Sequence, residues 1–114
     1  DLKSFSTNVP SVVTIANVSV GNTATTIDQW PMATYRSAKY QLQVSHASAG
    51  YETSEFLVIH NGTTATQTQY GVVYTGAASL GNVSVTTSGG NVVVQFTGAN
   101  TSNTVRIAPT YIPV

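Results

Sequence analysis

Tyr35-Arg36-Ser37-Ala38-Lys39-Tyr40-Gln41-Leu42-Gln43-Val44-Ser45-His46-Ala47 is the stretch that decides the fold. Tyr40, Leu42 and Val44 fall on one face of an extended segment, while Lys39, Gln41, Gln43 and Ser45 fall on the other. A period of two with one apolar and one polar face is what a strand in a half-wet sheet requires. After the Ala49-Gly50 turn comes Tyr51 to His60, with Phe56 and Val58 on one face and Leu57 and Ile59 on the other. A strand apolar on both faces is expected to be central and covered on both sides. Asn61-Gly62 then reads as a two-residue hairpin turn, since both residues tolerate positive φ.

The same grammar extends in both directions. Upstream, Val12 to Val20 and Thr23 to Trp30 read as strands, the second ended by Pro31. Downstream, Thr63 to Thr75 returns as the hairpin partner and Gly76 breaks it. Gly81 to Thr87, the alternating run through Val92, Val94 and Phe96, and Thr104 to Tyr111 follow, and Pro109 marks an edge or a strand end. Threonine and valine dominate, strong helix formers are scarce, and no window shows a convincing 3.6-residue period. With no helix to make parallel crossovers, the sheets are expected to be antiparallel. About eight short strands then predict an all-β antiparallel sandwich of jelly-roll or immunoglobulin-like type.

Composition narrows the function. The chain has 114 residues, one domain in length. Residues 11–114 are assigned to the sandwich, and residues 1–10, with Leu2 and Phe5 but little pattern, to an N-terminal arm or linker. The start, Asp1-Leu2-Lys3-Ser4, is neither an initiator methionine nor a signal peptide, as expected of a processed or excised piece. Charged residues make up 7% and the net charge is zero, which argues against a nucleic-acid partner and against an electrostatic membrane anchor. No apolar run is long enough for membrane insertion as a helix. The absence of cysteine excludes disulfides, thiolate metal sites and cysteine nucleophiles.

Little in the chain carries chemistry. Glu52 and Glu55 are three apart on a strand, so they point to opposite faces and make a poor acid/base pair. His46 and His60 lie near strand ends, and no further ligands accompany them, so they read as polar strand-end residues and no metal is assigned. There is no Gly-x-Ser-x-Gly elbow, phosphate loop or dinucleotide fingerprint. No catalytic residue and no cofactor are expected. The sequons at Asn17, Asn61, Asn82 and Asn100 are what a chain rich in Asn, Thr and Ser produces by chance, and Asn61 is better explained as a turn residue. In so uncharged a chain, the natural structural use of Asp28 is an ion pair with Arg36 or Lys39 across neighbouring strands. Among the aromatics, Trp30, Tyr35 and Tyr51 are candidates for a subunit interface or a glycan contact.

The run Tyr35-Arg36-Ser37-Ala38-Lys39-Tyr40 with Gln43-Val44, preceded by Ile27-Asp28 and a nearby tryptophan, resembles a recurring domain in virion structural and tail-fibre proteins of tailed bacteriophages. The type is that of contractile-tailed phages of marine cyanobacteria. The resemblance continues through Ser54 to His60, Asn61-Gly62-Thr63, Gln69-Tyr70-Gly71, Leu80-Gly81, Ser88 to Val92 and Asn103-Thr104-Val105, so it runs from about Ile27 to Ile112. Asn61 stands where aspartate is common and Gln69 where glutamate is common; both changes remove charge and keep the turn and strand chemistry. The resemblance implies a structural part of a virion, as a fibre or appendage segment or a capsid decoration. No catalytic residues come with it.

A neutral, cysteine-free β-domain suits a particle assembled in a reducing cytoplasm and exposed outside the cell, and low charge reduces repulsion between packed copies. The partners expected are other virion proteins and copies of itself, guessed as a trimer, with the arm docked on a neighbour. Two further classes compete. A carbohydrate-binding receptor module would read a host surface glycan and would show two or more coplanar exposed rings flanked by amides. A secreted adhesin or filament subunit would leave an unpaired groove for a donor strand.

Overall fold

A computed structural model describes residues 16–114. The arm assigned to residues 1–10, and the beginning of the strand expected from Val12, lie outside the described residues. Eight strands follow one another: β1 (Ala16–Val20), β2 (Thr25–Pro31), β3 (Tyr35–His46), β4 (Gly50–His60), β5 (Ala65–Tyr74), β6 (Gly81–Ser88), β7 (Asn91–Gly98) and β8 (Asn103–Pro113). No helix occurs among the described residues. All ladders are antiparallel, in a five-stranded sheet ordered β1-β8-β3-β4-β5 and a three-stranded sheet ordered β2-β7-β6.

The order favours one of the two expected sandwich types. β1 bonds to β8 and β2 to β7, first with last and second with last but one, which is the nested pairing of a ribbon rolled up as in a jelly roll. An immunoglobulin domain keeps its first two strands in one sheet, whereas here they lie in different ones. β3, β4 and β5 depart from a simple roll by continuing as a meander.

The alternation predicted the inward faces that supply most of the core, and Trp30, expected at an interface or glycan contact, joins them. Tyr40, Leu42 and Val44 of β3, Phe56 and Val58 of β4, and Val105 and Ile107 of β8 face Ile27 and Trp30 of β2, Val83 of β6 and Val92, Val94 and Phe96 of β7. The Tyr40 and Phe56 rings stack with centroids 4.6 Å apart. Past Ile107, β8 has no β1 neighbour among the described residues, so the amide hydrogen that Pro109 lacks breaks no ladder on that side.

Two expectations fail. The β4–β5 turn is a four-residue loop, Asn61 to Thr64, rather than a two-residue hairpin. Only Gly62 has positive φ, +95°; Asn61 acts through its side chain, whose Oδ1 accepts the amides of Thr63 and Thr64 at 3.0 and 2.8 Å. And β4 is not covered on both faces. Leu57 and Ile59 are 45% and 52% exposed on the outer side of the large sheet. A period of two tells which residues share a face, not whether anything lies over it. The sequence reading also misses a bulge in β5, where Gly71, at φ +64°, lies in the register shift between the Glu55–Tyr70 and Thr53–Val73 pairs.

Candidate functional site

The densest polar cluster joins the two sheets. Asp28 sits on β2 at a register shift between Thr26 and Asp28. Its Oδ2 accepts the Tyr40 hydroxyl at 2.6 Å and the Tyr111 hydroxyl at 2.5 Å, from β3 and β8 of the opposite sheet. Tyr40 in turn accepts the indole N–H of Trp30 at 2.9 Å. Tyr111 stacks on Tyr35, centroids 4.9 Å apart, and meets Trp30 edge-on. The expected ion pair is therefore replaced. Lys39 Nζ lies 3.8 Å from Glu55 on the outer face, and the Arg36 guanidinium donates to the His60 carbonyl at 3.1 Å. Lys39 follows the outward phase of β3, and in a cross-sandwich contact two tyrosine hydroxyls satisfy the carboxylate instead.

These hydroxyls are held in their neutral form. Burial first, then the hydrogen bond to Asp28 and its negative charge, push Tyr40 far above the usual tyrosine range. The same causes raise Tyr111. Neither phenol is poised to act as a base or nucleophile near neutral pH. The cluster serves as a fastener.

His60 is buried, and it anchors the hairpin. Its Nδ1 accepts the Gly62 amide at 2.9 Å, which leaves Nε2 to carry the hydrogen and donate to the Tyr35 carbonyl at 2.7 Å. His46 caps the β3–β4 turn, its Nδ1 accepting the amides of Ser48 and Ala49. The two histidines end antiparallel neighbours, so they stand at opposite ends of the hairpin, about 30 Å apart at one strand rise per residue. Among the described residues no group of three or more His, Cys, Asp or Glu could hold a metal ion.

Glu52 and Glu55 point to opposite faces as expected. Glu52 is buried, and its Oε1 accepts the Leu80 amide at 2.7 Å and the Ser79 hydroxyl at 2.9 Å, clasping the β5–β6 connection. The sequence reading did not assign this role. The available signal was phase, because Glu52 alternates with Ser54, Phe56 and Val58, all of which face inward.

Of the three aromatics singled out, Trp30 is 2% exposed and belongs to the core, and Tyr35 is half-buried against Tyr111. Tyr51 is open, at 61%. Also accessible is the outer face of the large sheet. Leu57, Ile59 and Ile112 line a shallow groove of about 480 Å³ there, with Ser37, Lys39, Thr66 and Thr68 around them.

No protein-family model matches the sequence, and no curated protein matches it. Among solved structures, the fold is similar to part of tailspike protein gp49 of Acinetobacter baumannii bacteriophage Fri1, a capsular polysaccharide depolymerase. The TM-score is 0.53 and the identity 13%, over 88% of this chain and 17% of the tailspike. The tailspike of Acinetobacter phage vB_ApiP_P1 aligns with a TM-score of 0.47 and 18% identity, over 90% of this chain and 20% of that one. At such identity the likeness is one of fold, and this chain spans less than a fifth of the Fri1 tailspike's length.

Proposed function

We propose that the chain is a non-catalytic structural domain of a bacteriophage virion that works through protein–protein contacts. A tail-associated fibre or appendage is the first placement and capsid decoration the second. The observation that carries this reading is where the reactive side chains go. Asp28 is bonded by two tyrosines, Glu52 is buried under the Leu80 amide, Glu55 pairs with Lys39, and His60 is buried in a turn. Glycoside hydrolysis generally uses two carboxylates flanking a bond in an accessible cleft, and these three acids are each engaged elsewhere. The tailspike with the similar fold is a depolymerase as a whole, and the matched part is a small share of it. The sequence resemblance supplies the virion context.

Within this reading residues 1–10 dock on a neighbouring subunit, and their deletion reduces assembly. The test of the reading is placement. An antibody against the chain labels the tail of the phage particles that carry its gene, and the purified chain releases no oligosaccharide from host capsule. Absence from the particle, or cleavage by the purified chain, overturns it. The glycan-binding alternative has less support: Tyr51, Tyr70 and Tyr74 are exposed rings, but no two of them stack or pair edge-on.

A further inference from the structure

The loop between β4 and β5 gathers three hydrogen bonds onto one peptide link. Asn61-Gly62 is the single Asn-Gly pair in the chain, and both residues are exposed. The Asn61 side-chain oxygen Oδ1 accepts the Thr63 and Thr64 amides at 3.0 and 2.8 Å. The Gly62 amide donates to His60 Nδ1 at 2.9 Å. His60 is 4% exposed, and its Nε2 donates to the Tyr35 carbonyl at 2.7 Å, which fixes the ring with its lone pair at Nδ1. Arg36 comes no nearer to that nitrogen than 3.5 Å, so the Gly62 N–H is its main donor.

We infer that this turn modifies itself: the Gly62 nitrogen attacks Asn61 Cγ, ammonia leaves, and the succinimide so formed takes up water to become an aspartyl or isoaspartyl residue. The parts are those of acyl transfer. An amide nitrogen is inert until its proton is drawn off, and His60 Nδ1 already holds that proton in a hydrogen bond. The carboxamide oxygen of Asn61 gains negative charge in the tetrahedral state, and the Thr63 and Thr64 amides already stand at the distance of oxyanion-hole donors. Nucleophile and carbon close a small ring through the backbone, so no second molecule has to be brought in for this step. Gly62 has no side chain beside the attacking nitrogen, and a Cβ there would meet nothing within 4 Å, so the space next to it is open.

The electrons balance without a cofactor. As the bond from the Gly62 nitrogen to Asn61 Cγ forms, the N–H proton moves to His60 Nδ1 and the carbonyl π pair moves to Oδ1. When that pair returns, the Cγ–Nδ2 bond breaks, and Nδ2 takes the proton from His60 and departs as ammonia. Water then adds to one of the two imide carbonyls. Opening on one side gives aspartate; opening on the other gives isoaspartate, with the main chain rerouted through Cβ and Cγ. Either product adds one negative charge to a chain whose formal net charge is zero. The aspartyl form can keep both amide bonds and strengthens them by its charge. The turn is therefore a one-way charge switch, and nothing in its chemistry depends on where the domain is mounted.

The experiment follows the purified full chain over days at neutral pH by peptide mass spectrometry, reading loss of ammonia and then gain of water at position 61. Hydroxylamine, which cleaves the chain at a succinimide, traps the intermediate. Asn22, also exposed but followed by the branched Thr23, is the internal control. The native chain is expected to convert at Asn61 about tenfold or more faster than the same chain unfolded in guanidinium chloride, because only the fold supplies the base and the two amides. His60→Gln, shown to be folded by circular dichroism, is expected to lose that advantage. A native rate equal to or below the unfolded rate overturns the inference, since the three bonds would then lock the turn instead of activating it. A native advantage that persists in folded His60→Gln overturns the role of His60. Should that variant fail to fold, the native-to-unfolded ratio and the hydroxylamine fragments decide alone.

Discussion

Asp28 shows how much one side chain can do in a chain with so few charges. Its carboxylate draws Tyr40 and Tyr111 from across the sandwich, and Tyr40 accepts from Trp30. Tyr40→Phe leaves the buried indole N–H without its acceptor, and should cost about 1–3 kcal/mol in urea unfolding. The same geometry sets an alkaline limit. Burial and Asp28 raise both phenols above their ordinary value of 10.0, so the native state keeps protons that the unfolded state releases. The stability they contribute is full below that pH and is lost as pH rises beyond it. Unfolding free energy measured against pH is expected to fall above pH 10, with a shallower slope in Tyr40→Phe, while phenolate absorbance from these two residues appears only on unfolding. An unchanged slope in the variant would assign the fall to other groups. The inward faces of Tyr40, Leu42 and Val44 were legible in the alternation. The partner of Asp28 was not, because Tyr111 lies 83 positions along the chain and a local period carries no information across the sandwich.

Among the elements, β4 holds the most. It is the inner strand of the β3–β4–β5 meander, its end bears His60, and its Glu52 fixes the crossing from β5 to β6. That connection is also held by the Thr75 amide on the Tyr51 carbonyl at 2.9 Å and by the Tyr51 amide on the Thr75 hydroxyl at 3.0 Å. Glu52→Ala strands the buried Leu80 amide, leaves the Ser79 hydroxyl its bond to the Gly81 carbonyl at 3.1 Å, and is expected to cost about 1–3 kcal/mol. Hydrogen exchange should quicken first between Thr75 and Leu80. Equal exchange in the variant and the wild type would show that the clasp is dispensable. Strand positions were readable because threonine and valine alternate over long runs. The bulge at Gly71 was not, since an isolated glycine in a strand reads equally as a weak position or a register shift. Nor was the length of the Asn61 turn readable, because Asn-Gly starts both two-residue and longer loops.

At the scale of the whole molecule, closure is non-local. β1 pairs with β8 from Ala16–Ile107 to Val20–Asn103, and four connections cross between the sheets. Such topology folds in milliseconds to seconds rather than microseconds. Trp30, the single tryptophan, is buried at the sheet junction and reports the event directly. Stopped-flow fluorescence is expected to show refolding on that slower scale, and a microsecond phase carrying all of the signal would contradict it.

The placement of the cations has one more effect. Arg36 and Lys39 lie within β3 and Arg106 within β8, each in an extended ladder, while Lys3 lies outside the described residues. From Phe56 to Val105 the chain has no lysine or arginine at all. A trypsin-like protease must bind its target as a free, pliable segment, and the folded sandwich shields each of these three bonds inside a paired strand. Digestion there becomes a count of how often the whole domain opens.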